Sequence, residues 1–258
     1  RNIWGLYRTE IRGEKPYARA DEVPQQLGYK FISNQGHLSP SYGELLRIGI
    51  GGLLGKVRQR QQGETDAEKS AFLTAAEYSL SGLSDWIGRY AEFLAAEAAR
   101  NAPPARAAEL NEMARIAGKV AVQPPGTFRE ALQLIWFVHQ AIHIEGHGYS
   151  CTPDRIDQLL WPFYEADRAA GRIDDARTLR LIENFVLKMY DNSFWGPEHH
   201  LTQGLCVGGS TPDGDDQTNR LSWWFIEGGA LCCRASRCRS AWMNRSPSSG
   251  RTGRERRR

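Results

Sequence analysis

No stretch of about 18 consecutive apolar residues occurs in the 258-residue chain, which excludes a membrane-spanning helix. No charged-then-apolar leader opens it, so no secretory signal peptide is read and a cytoplasmic location is expected. Cysteine is scarce. Of the five cysteines only Cys151 and Cys206 precede residue 232, too few for a disulfide framework and in keeping with a reducing compartment. Methionine numbers three, the first being Met113, and the sequence opens on Arg1; further residues upstream are expected. What is present is ordinary globular composition, 41% hydrophobic and 24% charged, which excludes a disordered or collagen-like chain as a whole. At roughly 150 residues per domain the length admits one large domain or two small ones.

The net charge of +3 conceals an asymmetry. Residues 234–258 hold nine Arg, no Lys and one acid, Glu255, a balance of +8, while the first 233 residues hold 24 basic and 29 acidic side chains. The body is mildly acidic and the tail strongly basic, a block pattern that reads as a nucleic-acid arm.

The body reads as mostly helical. Ser39-Pro40 opens a helical spacing through Tyr42, Leu45, Leu46, Ile50, Leu53 and Leu54 to about residue 62. Gly49, Gly51, Gly52 and Gly55 weaken that helix, and close packing on another backbone would explain them. Thr65 with Glu68 spells a capping box, and Phe72, Ala76, Leu80, Leu83, Ile87, Tyr90 and Leu94 form the stripe of a long helix with one buried face, ending near Asn101. A short helix is expected over 105–117. Thr127 with Glu130 makes a second capping box leading Phe128, Leu132, Ile135, Val138 and Ile142. Helices over about 153–170 and 174–190 follow. Residues 203–209 (QGLCVGG) are the best strand candidate, Thr211-Pro212-Asp213-Gly214 a turn, and 219–227 a last helix. There is no internal repeat and no linker before Gly229, so 1–229 is read as one unit and 230–258 as a Cys- and Arg-rich tail, disordered or translated out of frame.

Few side chains carry chemistry by spacing alone. His139 and His143 stand four apart on one helix face, with Glu145 and His147 beyond, a spacing that can bring imidazoles to one metal ion. Two hydrogen-bonded core histidines would look the same, and Gln140 stands where a zinc-protease helix needs Glu. Asp213, Asp215 and Asp216 lack the ligand spacing of a calcium loop. Cys206, in an apolar setting, reads as a buried, inert thiol.

Several segments in a fixed order are more specific. Residues 36–49 (GHLSPSYGELLRIG), 127–139 (TFREALQLIWFVH), 144–150 (IEGHGYS), 155–167 (RIDQLLWPFYEAD) and 207–222 (VGGSTPDGDDQTNRLS) together resemble the pyruvate formate-lyase-like domain of the glycyl radical enzymes. The resemblance implies an α/β architecture, a ten-stranded barrel sheathed in helices, of which this mostly α portion supplies one or two short strands. It implies a lyase or dehydratase of anaerobic chemistry acting on a small organic substrate, a glycyl radical installed by a separate radical-SAM activase, and a homodimer. It places His147 and Ser150 in the family's Gly-His-Ser-x-Ser stretch, which lines the substrate cavity in several members, and His37 in a Gly-His segment that reaches it in some. Gly148 replaces the first serine of that stretch, which argues against any particular dehydratase.

The family's thiyl cysteine is preceded by Gly and followed by Val-Glu. Leu205-Cys206-Val207-Gly208 imitates this, but 207–214 aligns with an earlier Gly-Gly…Pro-Asp-Gly segment, so Cys206 is not assigned that role. No Arg-Val-x-Gly-Tyr radical loop is found either. The chain is therefore expected to hold no catalytic residue, no metal and no bound cofactor, and to be an inactive fragment by itself. Two rival readings stand beside it: a metal-dependent hydrolase at His139 and His143, and a helical nucleic-acid-binding protein using the arginine tail. The last makes a direct prediction. Nucleic-acid affinity should fall steeply with added salt and vanish on deleting residues 234–258; filter binding that survives the deletion refutes it.

Overall fold

The computed structural model describes residues 39–100, 103–146, 151–191 and 204–236. Among the described residues there are seven α-helices in chain order: α1 (Tyr42–Gln61), α2 (Ala67–Ala99), α3 (Pro104–Val120), α4 (Phe128–Gly146), α5 (Ile156–Ala169), α6 (Asp175–Asp191) and α7 (Arg220–Ser236). No helix among them is long and apolar enough to cross a membrane.

The centre is α4, which touches α1, α2, α3, α5 and α6. Its sequence is apolar almost all round, and Phe128, Ala131, Leu134 and Ile135 are fully buried, each large side chain contributing about 2 kcal/mol by leaving water. Trp86 and Tyr90 of α2 meet Phe137 edge-on or tilted at 5.7 Å each, while Phe128 meets Tyr164 of α5 at 6.3 Å. Tyr164 in turn abuts Trp224 of α7 at 5.4 Å.

A helix buried this deeply cannot leave its first N–H groups to water. The Thr127–Glu130 capping pair supplies part of the answer: Thr127 Oγ1 accepts from Glu130 N at 3.2 Å. Glu130 reaches back to Gly126 N at 2.8 Å and takes Lys119 Nζ at 2.6 Å and Arg115 Nη1 at 3.1 Å from α3. Burial opposes ionisation of Glu130, but Lys119, the Gly126 amide and Arg115 outweigh it and hold the carboxyl below its usual range. A further first-turn amide, Phe128 N, is capped from another helix by Asp167 Oδ2 at 2.8 Å, and Asp167 Oδ1 is held by Arg172 Nε at 2.7 Å.

Two of the four glycines of α1, Gly49 and Gly51, pack on another backbone as expected, whereas a Cβ on Gly52 would meet only Ile48 of its own helix and one on Gly55 nothing. Gly49 breaks the helix with φ 68° and ψ 177°, and a Cβ there would stand 2.6 Å from Pro124 N. Next to it, Gly51 N donates to Val122 O at 2.8 Å, so α1 lies backbone to backbone on the loop that leads into α4.

Four expectations are corrected. Asp66, not Thr65, caps α2, accepting from Glu68 N at 2.9 Å and Lys69 N at 3.1 Å. The stripe of α2 is only partly covered: Ile87 is buried, but Phe72 is 72% and Tyr90 44% exposed. Its 33 residues extend about 50 Å, further than the 20 of α1 or 17 of α3 beside it. The strand at 203–209 does not form among the described residues, where a single parallel bridge pairs Arg155 with Cys206 and another, antiparallel, pairs Ser210 with Asp216. The turn does form, with Gly214 N donating to Thr211 O at 3.0 Å and Gly214 at φ 94°. The last helix continues past Glu227 to Ser236, because Gly228 packs on Ile182 and Glu183 of α6 instead of ending it.

Replacing Gly49 by Ala should cost about 3 kcal/mol, combining a left-handed φ with overlap on Pro124. Gly55→Ala, whose Cβ would meet nothing, should be neutral or stabilise by up to about 1 kcal/mol. Urea unfolding of the two variants checks the contrast. Glu130→Ala, which deprives the Gly126 amide and two cations of their common buried partner, should cost about 2 kcal/mol by the same measurement.

Candidate functional site

The three sequence-predicted contact residues, His37, His147 and Ser150, lie outside the described residues. Their flanking chain does not. Ser39 Oγ donates to Thr152 O at 3.1 Å, so the segments two residues beyond His37 and two beyond Ser150 touch.

The segment after Ser150 is built into the core. Cys151 is fully buried beside the equally buried Tyr42 of α1. Burial pushes the Cys151 thiol up to about 11, with the Tyr42 hydroxyl partly opposing that rise. Burial and the neighbouring thiol likewise push the Tyr42 hydroxyl far above its ordinary value. Both groups are protonated at neutral pH, so Cys151 is no thiolate nucleophile. Asp154 then takes a left-handed φ of 51°, unusual for a residue with a Cβ, and Ile156 N closes the bend on Asp154 O at 3.0 Å.

Across from it runs the segment 204–209, fastened by residues at the start of α5. Arg155 Nη2 donates to Gly208 O at 2.5 Å, and Asp157 Oδ2 accepts from Gly208 N at 2.6 Å. Both polar backbone groups of Gly208 are thus held by two side chains of one helix start. The same Asp157 oxygen accepts from Ser222 Oγ at 2.5 Å, while Oδ1 accepts from Gln158 N at 2.8 Å. Ser222 Oγ in turn accepts Asn219 N at 2.9 Å, and Asn219 Oδ1 caps α7 through Leu221 N and Ser222 N at 2.9 and 3.2 Å. Gln158 Nε2 completes the fastening on Gln217 O at 2.6 Å. A fully buried carboxylate is tolerable because three donors converge on it. Gly208 and Gly209 sit at φ 65° and 90°, left-handed values that favour glycine.

Cys206 is exposed, which overturns its reading as a buried thiol. The backbone there is extended, so Leu205 and Val207 turn to the core and the residue between them turns out. His139 and His143 are buried with ring centroids 4.2 Å apart. The His143 Nδ1 lies 2.8 Å from His139 O and donates to it. Among the described residues no cluster of three metal-ligating side chains forms; Glu145 and His147, which the spacing also named, lie outside the described side chains. The residues that sequence reasoning missed are Arg155, Asp157, Gly208 and Ser222. Both of their segments were singled out, but nothing local pairs positions 51 and 65 residues apart.

A family model described as pyruvate formate lyase-like matches residues 6–239. Among curated proteins, a (2S)-3-sulfopropanediol dehydratase of Klebsiella oxytoca is 30% identical over 237 residues, which is 86% of this chain and 29% of that protein. Among solved structures, a glycerol-bound, B12-independent glycerol dehydratase from Clostridium butyricum is 31% identical, with TM-score 0.71 over 78% of this chain and 27% of the other. A glycyl radical enzyme from Archaeoglobus fulgidus is 26% identical, with TM-score 0.74 over 88% of this chain and 33% of the other. The chain spans less than a third of the length of the curated relatives it matches.

The buried histidine generates a pH prediction. Burial, only partly offset by the bond to the His139 carbonyl, lowers the His143 pKa below its ordinary value. The unfolded chain therefore binds a proton near pH 6.5 that the folded chain refuses. Stability should be full above that pH and decline as pH falls through about 6.5, and His143→Gln should flatten this stretch of the curve. An unchanged slope from pH 7 to 5.5 in the variant would falsify the assignment.

Proposed function

The chain belongs to the pyruvate formate lyase-like family of glycyl radical enzymes, and from that premise we propose that it forms part of a lyase or dehydratase acting on a small hydroxylated substrate. The observation that carries this reading is the Ser39–Thr152 contact. It joins described chain two residues from His37 to described chain two residues from Ser150, in keeping with the resemblance's assignment of both residues to one cavity.

In this reading His37, His147 and Ser150 bind and orient substrate hydroxyls, and α4 with its neighbours sheathes the barrel and keeps water out. The bound radical group supplies hydrogen-atom abstraction. The Arg-Val-x-Gly-Tyr loop and the Gly-Cys-Val-Glu cysteine are not among the residues of this chain, and this segment alone is expected to be inactive. A radical-SAM activase and a second copy of the enzyme are the protein partners in this proposal, and the relatives' names point to glycerol and sulfopropanediol as first substrates to try.

The test uses the enzyme that contains this segment, anaerobic and with its radical installed. Ser150→Ala, His147→Ala and His37→Ala should each raise KM for the accepted diol about tenfold, a loss of about 1.4 kcal/mol of binding, with the radical's spin signal unchanged. Unaltered KM in all three removes these residues from the site.

A further inference from the structure

We infer that the exposed face of α2 is an interface for a second copy of this chain, the two α2 helices lying antiparallel about Ser84. The inference rests on the second copy named above and gives it a surface. From Glu68 to Arg100 the positions on this face recur at alternating steps of four and three residues, the period that keeps one side of a helix turned to a partner helix. Three of them are bulky. Phe72 and Phe93 are 72% and 60% exposed, and Trp86 is partly exposed, its ring held edge-on by Tyr90 and Phe137. Three others, Ala75, Gly82 and Ala96, are small and exposed. No atom of the chain lies within 4 Å of a Cβ placed on Gly82.

The order of sizes and charges along the face selects the occupant and its direction. Laid antiparallel on a second α2, Phe93 meets Ala75, Phe72 meets Ala96 and Trp86 meets Gly82, so each ring enters the gap over a small residue, as knobs enter holes in paired helices. Arg89 then meets Ser79, and at both ends Glu68 meets Arg100. A parallel pairing in register would set Phe on Phe, Arg89 on Arg89 and Glu68 on Glu68, and would leave a void between the glycines. Arg100 holds Glu97 of its own helix at 3.0 Å with 75% of its side chain exposed. A surface pair of that kind is worth little, so it does not compete with an opposing Glu68. Size and charge therefore name the same partner.

Sedimentation equilibrium of the full chain tests this. Gly82→Glu sets a carboxylate against Trp86 in each half of the seam, while in its own chain the new side chain starts in open space. It should weaken dimerisation about a hundredfold and leave the helical circular dichroism unchanged. Glu68→Arg and Arg100→Glu should each weaken it about tenfold, since each breaks two symmetric pairs and opposes like charges. Combined in one chain, the two should restore it to within about threefold of the parent, which a fault in folding would not do. A parent chain that stays monomeric removes the second copy and the inference together. A dimer indifferent to all three single substitutions, as expected if another segment of the enzyme or a different protein covers α2, keeps the second copy and overturns the surface. A double variant weaker than either single one overturns the antiparallel pairing.

Discussion

Burying a helix on most of its sides creates a problem at its N-terminus that water cannot solve, and the arrangement of this chain follows from how α4 solves it. Its first turn is satisfied by one oxygen of Thr127, by Glu130 from within and by Asp167 from α5. Each carboxylate is then balanced by cations from a neighbouring element: Lys119 and Arg115 of α3, and Arg172 just beyond α5. The cap of one helix thus fixes three segments at once. The cations keep their outer ends near solvent, with Arg115 59% exposed against 2% for Glu130. That spares the pairs the full desolvation cost of two buried ions.

The second constraint is distance. α1 approaches the loop before α4 so closely that side chains at Gly49 or Gly51 would meet backbone atoms within 3 Å. The outcome is that Tyr42 and Ser39, at the near end of α1, are delivered to Cys151 and Thr152. The polar region at the ends of α1 and α4 is thus a consequence of helix packing, and the glycines that look like poor helix formers are what allow it.

Local chemistry made much of this legible. The Thr127–Glu130 pair, the Pro212-Asp213 turn and the glycines of α1 each announce themselves within a few residues, because caps, turns and close approaches impose their demands on adjacent positions. Burial was less legible. The stripe on α2 shows which side chains could be covered but does not say how far its neighbours extend, so Phe72 and Tyr90 emerge exposed. The strand reading of 203–209 failed for a related reason: extended backbone and alternating burial are there at Leu205 and Val207, but one bridge to Arg155 is all the pairing found among the described residues. Asp157 stayed hidden because a carboxylate near a helix start looks like an ordinary first-turn acid until its partners, in segments much later in the chain, come into view.

The wide spacing of those partners also orders events in time. The hairpin of α2 and α3 is made of contacts between neighbouring segments and can assemble at little loop-closure cost. The ties from Ser39 to Thr152 and from Asp157 to Ser222 span 113 and 65 residues and become favourable only after the intervening helices have docked. These two long-range ties therefore belong to the late, cooperative end of folding, when the loops they close have already been shortened by the docked helices.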